Sequence, residues 1–83
     1  MKIPRDLSGE ELVRLLLRLG YIVVRQTGGH IRLTTTENGE HHITIPDHSP
    51  LHIGTLAGIL GDIALHFQTT REDLLERLLK KGR

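Results

Sequence analysis

The pattern of apolar and polar residues divides the chain into a helix, three short strands and two further helices. In the first quarter, leucines recur at the spacing of one helical face: Leu12, Leu15, Leu16 and Leu19. Ser8 and Glu11 have the spacing of a capping box, in which each side chain binds the backbone amide of the other. A first helix is therefore predicted over Gly9–Leu19, with Gly20 ending it.

Three runs with strand character follow this helix. Tyr21–Thr27 is rich in β-branched residues, and His30–Thr34 alternates polar with apolar residues. The third run, Glu40–Ile45, is closed by Pro46, which has no amide to donate to a ladder. Short connections between the runs predict a three-stranded antiparallel meander.

Side chains of a strand alternate between its two faces, so the pattern also assigns the surfaces of this sheet. The aliphatic positions of the second and third strands are expected to face the core: Ile31, Leu33, Ile43 and Ile45. The opposite face is expected to be polar, with His30, Arg32, Thr34, His42 and Thr44. Gly28 and Gly29 are expected to form the tight turn before His30, and Asn38-Gly39 a longer loop.

Two helices are predicted in the second half of the chain. An apolar stripe that begins at Thr55 predicts one, in which Gly58 and Gly61 are expected to permit close packing against the sheet. A capping signature over 69–73 starts the other, and its leucine face, 74–79, is open to two interpretations, core or protein interface. The order α-β-β-β-α-α predicts a single α+β domain over 1–83, a two-layer sandwich that matches the double-stranded-RNA-binding (dsRBD-like) fold with an additional C-terminal helix.

Composition narrows the function only in part. The chain has 83 residues and a net charge of +1. It contains no cysteine, so disulfides and thiolate metal sites are excluded. Tyr21 and Phe67 are too few for a base-stacking platform. No apolar run reaches the length of a membrane span, and a cytoplasmic location without membrane association is expected.

The candidate chemistry is that of histidine. His30 leaves the glycine turn on the first residue of a strand, and an imidazole can exchange protons near neutral pH. Arg32, on the same face, could hold phosphate charge. From the residues alone, an ordinary exposed strand side chain is the favoured interpretation of His30. Adjacent residues His41 and His42 should point to opposite faces, so no metal site and no cofactor are predicted.

Four segments, in this order, resemble the HicA (YcfA-like) family of toxins from HicAB toxin–antitoxin pairs. They are the helix ending in Leu-Gly-Tyr at 19–21, Arg25-Gln26-Thr27-Gly28-Gly29-His30, Ile43-Thr44-Ile45-Pro46 with His48, and Ile53-Gly54-Thr55-Leu56 followed by Ile59-Leu60. The resemblance covers nearly the whole chain. The chain departs from the family pattern in two places: Gly29 stands where serine is usual, and Ala57-Gly58 where many members carry a basic residue.

The resemblance implies a dsRBD-like fold and metal-independent cleavage of mRNA by one histidine, which by position is His30. It also implies a HicB-like antitoxin that covers this histidine. Candidate RNA contacts are Gly28, Gly29, Arg32, His42 and His48. The expected function is therefore an endoribonuclease toxin; a non-catalytic RNA-binding module, or an adaptor that binds proteins through the last helix, is the alternative. Self-association stays open.

Overall fold

A computed structural model describes residues 6–80 of the chain. Its elements are α1 (Gly9–Arg18), β1 (Ile22–Thr27), β2 (His30–Thr35), β3 (His41–Pro46), α2 (Ile53–His66) and α3 (Arg71–Leu79). The strands form one antiparallel sheet in the order β1-β2-β3. The predicted α+β class and element order are confirmed, while a single domain over all of 1–83 stays a prediction.

Both ends of α1 follow the predicted capping. The Glu11 amide donates to Ser8 Oγ at 3.0 Å, and the Ser8 amide donates to Glu11 Oε1 at 2.9 Å. The bond from the Ser8 amide, with a smaller effect of the Ser8 side chain, lowers the pKa of Glu11. Gly20 has a φ of +109° just past the C-cap Leu19, and the Tyr21 amide returns to the carbonyl of Leu16. The chain therefore enters β1 at a fixed angle.

The core lies between one face of the sheet and the three helices. All four strand residues predicted to face inwards are buried: Ile31, Leu33, Ile43 and Ile45. They belong to one apolar cluster with residues from α1, α2 and α3. The two-layer sandwich is thus confirmed, and the face assignment with it.

α2 begins at Ile53, two residues before the predicted start at Thr55, with His52 as its N-cap. The apolar stripe could not reveal this because Ile53 and Gly54 are exposed. The expected role of Gly58 and Gly61 in packing against the sheet is wrong. A Cβ on Gly58 would meet no atom within 4 Å, and one on Gly61 would meet only the Arg71 side chain.

β1 is an edge strand whose side chains are all exposed. A β-bulge between Val23 and Arg25 shifts its register against β2. Exposed aliphatic side chains result at Ile22, Val23 and Val24. Exposed apolar side chains are therefore present on the edge strand of the sheet, whereas the sequence had suggested the last helix as the place for an apolar interface.

α3 contributes to the core. Leu74, Leu75 and Leu78 are buried, and only Leu79 of the leucine face is exposed. This decides between the two interpretations of that face in favour of packing, and it removes the reason for proposing an adaptor. No helix within residues 6–80 is long and apolar enough to cross a membrane.

Candidate functional site

The turn between β1 and β2 places His30 at one end of the sheet. Thr27 pairs with His30, so the loop consists of Gly28 and Gly29 alone. Gly28 has a φ of +35°, whereas Gly29 lies outside the left-handed region, which is typical of a type II′ turn. The amide of Asp47 donates to the Gly29 carbonyl at 2.8 Å, so the segment after β3 holds the turn in place.

The exposed surface of the sheet, here called the polar face, is arranged in cross-strand rows. The row at the turn end consists of Thr27, His30 and Pro46. The next row consists of Arg25, Arg32 and Thr44, and the third of Ile22, Thr34 and His42. Paired residues of antiparallel strands share a face. His30 and two arginines therefore lie together on one surface.

Arg25 is the functional candidate that the sequence analysis missed. A two-residue turn fixes the pair Thr27–His30, and counting back two positions on each strand places Arg25 opposite Arg32. The turn signal could therefore have identified it. Arg32 also donates from Nη1 to Thr44 Oγ1 at 3.3 Å, which links the guanidinium to β3.

The register separates His42 from His30. His42 pairs with Thr34, four residues along β2 from His30, so the two lie about 13 Å apart. The His42 ring instead meets the Glu40 carboxylate, with Nε2 at 2.9 Å from Oε2. His42 therefore lies on the predicted face but away from His30, and its contact with RNA stays a prediction.

The backbone brings His48 towards the turn. It follows Asp47, which is bonded to Gly29, and its carbonyl accepts from the Gly9 amide at 2.8 Å. The His48 ring is exposed and lies edge-to-face with that of His52, with centroids 6.3 Å apart. His48 thus borders the turn without a recorded contact to His30.

A groove of about 390 Å³ runs between β3 and α2. Arg32, His42 and Thr44 line it from the sheet, and Gly54 and Gly58 line it from the helix. Because Gly58 has no side chain, this wall of the groove stays open. The missing Cβ thus widens a surface groove next to the polar face.

A second polar cluster joins the far end of the sheet to α2. The Tyr21 hydroxyl lies 2.7 Å from His41 Nδ1, and His41 Nε2 lies 3.3 Å from Asp62 Oδ1. The His41 and His66 rings stack with centroids 4.4 Å apart, and His66 Nε2 donates to the Glu37 carbonyl at 2.9 Å. Burial, with a smaller effect of the Asp62 charge, raises the pKa of Tyr21 to about 12.

These contacts distinguish His30 from the other histidines. The rings of His41, His42 and His66 are hydrogen-bonded, and those of His48 and His52 meet each other. Across residues 6–80, the side chain of His30 has no recorded hydrogen bond, ion pair or ring contact. No group of three histidine or acidic side chains in this part of the chain could hold a metal ion. An exposed imidazole beside two guanidiniums can bind an anion and exchange a proton with it.

Comparison with protein families identifies a matching family model. The model described as the HicA toxin of bacterial toxin–antitoxin systems matches residues 9–65, from the start of α1 almost to the end of α2. Searches of curated proteins and of solved structures return no significant match. The matched region contains the glycine turn, His30 and the whole sheet, so the chain belongs to the HicA family of toxins from bacterial toxin–antitoxin systems.

Proposed function

We propose that this toxin is an endoribonuclease that cleaves mRNA without needing a metal ion, with His30 as the group that transfers protons. The observation that supports this is the exposed His30 ring, which has no partner within residues 6–80 and lies on the same face as Arg25 and Arg32. RNA carries its own nucleophile, the 2′-hydroxyl, so the protein needs only to move protons and to hold the phosphate.

In this mechanism His30 accepts the proton of the 2′-hydroxyl as a general base. The 2′-oxygen forms a bond to the adjacent phosphorus, and the bond from phosphorus to the 5′-oxygen breaks. The leaving oxygen takes up a proton from the protonated imidazole of His30 or from water, which leaves a 5′-hydroxyl on one product and a 2′,3′-cyclic phosphate on the other. One positioned imidazole contributes about 10²–10⁴-fold to such a reaction.

Membership of the family implies pairing with an antitoxin. We propose that a HicB-like antitoxin covers His30 and its neighbours, because an exposed reactive ring on a flat face can be blocked by simple occlusion. Gly29 favours a second candidate function, a non-catalytic RNA-binding module. The chain lacks the hydroxyl that the serine usual at this position in the family would place beside His30.

The test compares wild type, His30→Ala and His52→Ala on labelled RNA in EDTA, with product ends analysed by mass spectrometry. His52 is the matched control because it is an exposed histidine outside the polar face. Cleavage by wild type and His52→Ala but not by His30→Ala, with cyclic phosphate ends, is the expected result. Cleavage by His30→Ala would contradict the assignment, and RNA binding without cleavage by wild type would favour the binding module.

A further inference from the structure

We infer that Arg25 and Arg32 together hold one RNA phosphate group beside the His30 imidazole, and that Thr44 orients the Arg32 guanidinium. This inference rests on the proposed function, since it names the part of the RNA that the polar face recognises. It assigns to Arg25 a role in positioning the substrate that the sequence analysis did not find.

The first argument is the cost of the arrangement in the free protein. Arg25 and Arg32 are paired across β1 and β2, and like charges directly opposite each other destabilise a sheet. No ion pair of either guanidinium with a carboxylate is recorded in residues 6–80, where the ion pairs involve Arg14, His41 and His42. Two cations side by side without a counterion are suited to an anionic ligand.

The second argument is the geometry of the guanidinium groups. A guanidinium presents its donors in a planar fork that matches two oxygens of a phosphate group. The bond from Arg32 Nη1 to Thr44 Oγ1, at 3.3 Å, restrains this side chain on the polar face and leaves its other donors available. An exposed arginine held in this way loses less conformational freedom when it binds.

The third argument is proximity to the reacting group. Arg32 lies two residues from His30 on the same strand face, about 7 Å away. Arg25, on the neighbouring strand, is the diagonal neighbour of His30 at about 7–8 Å. Long arginine side chains cover this distance. A phosphodiester held by the pair would therefore bring a neighbouring ribose hydroxyl to the imidazole, which fits a positioning role for both arginines.

The experiment measures binding separately from cleavage. A labelled single-stranded oligoribonucleotide with 2′-O-methyl groups cannot be cleaved, because its nucleophile is blocked. Its dissociation constant is measured at several salt concentrations for wild type, Arg25→Gln, Arg32→Gln and the double variant. Arg18→Gln is the matched control, as an exposed arginine on α1 with the same charge change.

Each single variant is expected to raise the dissociation constant about tenfold, as for loss of a charged hydrogen bond. The double variant should raise it by less than the product of the two single effects, because both arginines hold one group. It should also reduce the salt dependence of log K by about 0.7, the value for one phosphate of a single strand. Arg18→Gln should change neither quantity, and the melting temperatures of Arg25→Gln and Arg32→Gln should not fall.

Binding by all variants as tight as by wild type would overturn the inference and leave the proposed function intact. Strictly multiplicative effects would overturn the assignment to one shared phosphate. Absence of RNA binding by wild type, together with absence of cleavage, would overturn the proposed function itself. A fall in melting temperature that accounts for the lost binding would make the arginines structural and would also refute the inference.

Discussion

The Tyr21 hydroxyl lies 2.7 Å from Nδ1 of His41, and this bond connects the only tyrosine of the chain to the first residue of β3. The Asp62 carboxylate near Nε2 of His41 can only accept a hydrogen bond, so in the neutral ring Nδ1 has no proton and accepts from the Tyr21 hydroxyl. Nε2 of His41 then carries the ring proton and donates to Asp62 at 3.3 Å. The cluster thus fixes one tautomer of His41.

The first prediction concerns the alkaline titration of Tyr21. The folded protein should ionise its tyrosine near pH 12, whereas the unfolded chain should do so near the ordinary value of 10. Since the pKa is raised on folding, the stabilisation is fully present below pH 10 and is lost as the pH rises towards 12. The absorbance of tyrosinate measures this directly, because the chain has no tryptophan.

The control for this titration is the same measurement in concentrated urea. Asp62→Asn should move the folded midpoint slightly downwards, since the Asp62 charge is the smaller of the two causes of the shift. Titration of the folded protein at pH 10 would show that the hydroxyl is accessible to water, contrary to the 1% exposure of Tyr21.

The second prediction is that replacing Gly9 and Gly58 by alanine has opposite effects on stability, although helix propensity alone favours alanine at both positions. A Cβ at Gly9 would overlap the carbonyl oxygen of Pro46, whereas at Gly58 it would meet nothing within 4 Å. Overpacking costs about 1–3 kcal/mol, more than the helical preference for alanine of about 1 kcal/mol, so Gly9→Ala should destabilise the protein. Gly58→Ala should stabilise it by about 0.5–1 kcal/mol.

Urea denaturation of both variants and wild type measures these differences. Opposite signs for the two substitutions are the decisive feature, because both replace glycine by alanine within a helix. Equal effects would mean that the close approach of α1 to Pro46 does not constrain the fold.

Much of the fold could be predicted because local signals agree with the tertiary structure. The capping box at Ser8 and the period-two pattern around Ile31 depend only on nearby residues, and both are confirmed. The start of α2 at Ile53 precedes the predicted start because Ile53 and Gly54 are exposed and add nothing to the apolar stripe. The prediction that Gly58 packs closely against the sheet is wrong because the periodicity of a helix does not show what lies opposite each of its faces.

The candidate site was only partly predictable from the sequence. Strand alternation placed His30 and Arg32 on one face, but the distance between His30 and His42 depends on register, which is set by the turn and by loop length. Arg25 becomes a candidate once the two-residue turn is used to set the register of β1 against β2. For His41 the sequence predicts only that its side chain points away from that of His42, whereas the structure shows it held by Tyr21 and Asp62.

The third prediction concerns the leucines of α3. Leu74 is completely buried and Leu79 is 44% exposed, although both belong to the same apolar face in the sequence. Leu74→Ala should lower the free energy of unfolding by about 2–5 kcal/mol, as for other buried leucines. Leu79→Ala should change it by no more than about 0.5 kcal/mol.

Urea denaturation again gives the free energies, and gel filtration of both variants shows whether assembly changes. A large loss of stability at Leu79 would mean that this side chain is covered in solution, for example by a second copy of the chain. A small loss at Leu74 would contradict the packing of α3 against α1 and α2.

The last prediction concerns Gly29, which occupies the position where serine is usual in the HicA family. A Cβ there would meet nothing within 4 Å, and the residue lies outside the left-handed region, so serine should fit without strain. A hydroxyl next to His30 could donate to a phosphate oxygen. One added hydrogen bond of about 0.5–1.5 kcal/mol should raise kcat/KM for RNA cleavage about twofold to tenfold.

Gly28→Ser is the matched control, because Gly28 is equally open but has a φ of +35°. Serine at that position should lower stability by about 1 kcal/mol through backbone strain and should not increase cleavage. Steady-state cleavage of a labelled RNA and urea denaturation are measured for both variants. An unchanged kcat/KM in Gly29→Ser, with stability retained, would mean that the hydroxyl plays no part in substrate contact. The imidazole and the two arginines would then be sufficient to account for the activity of this face.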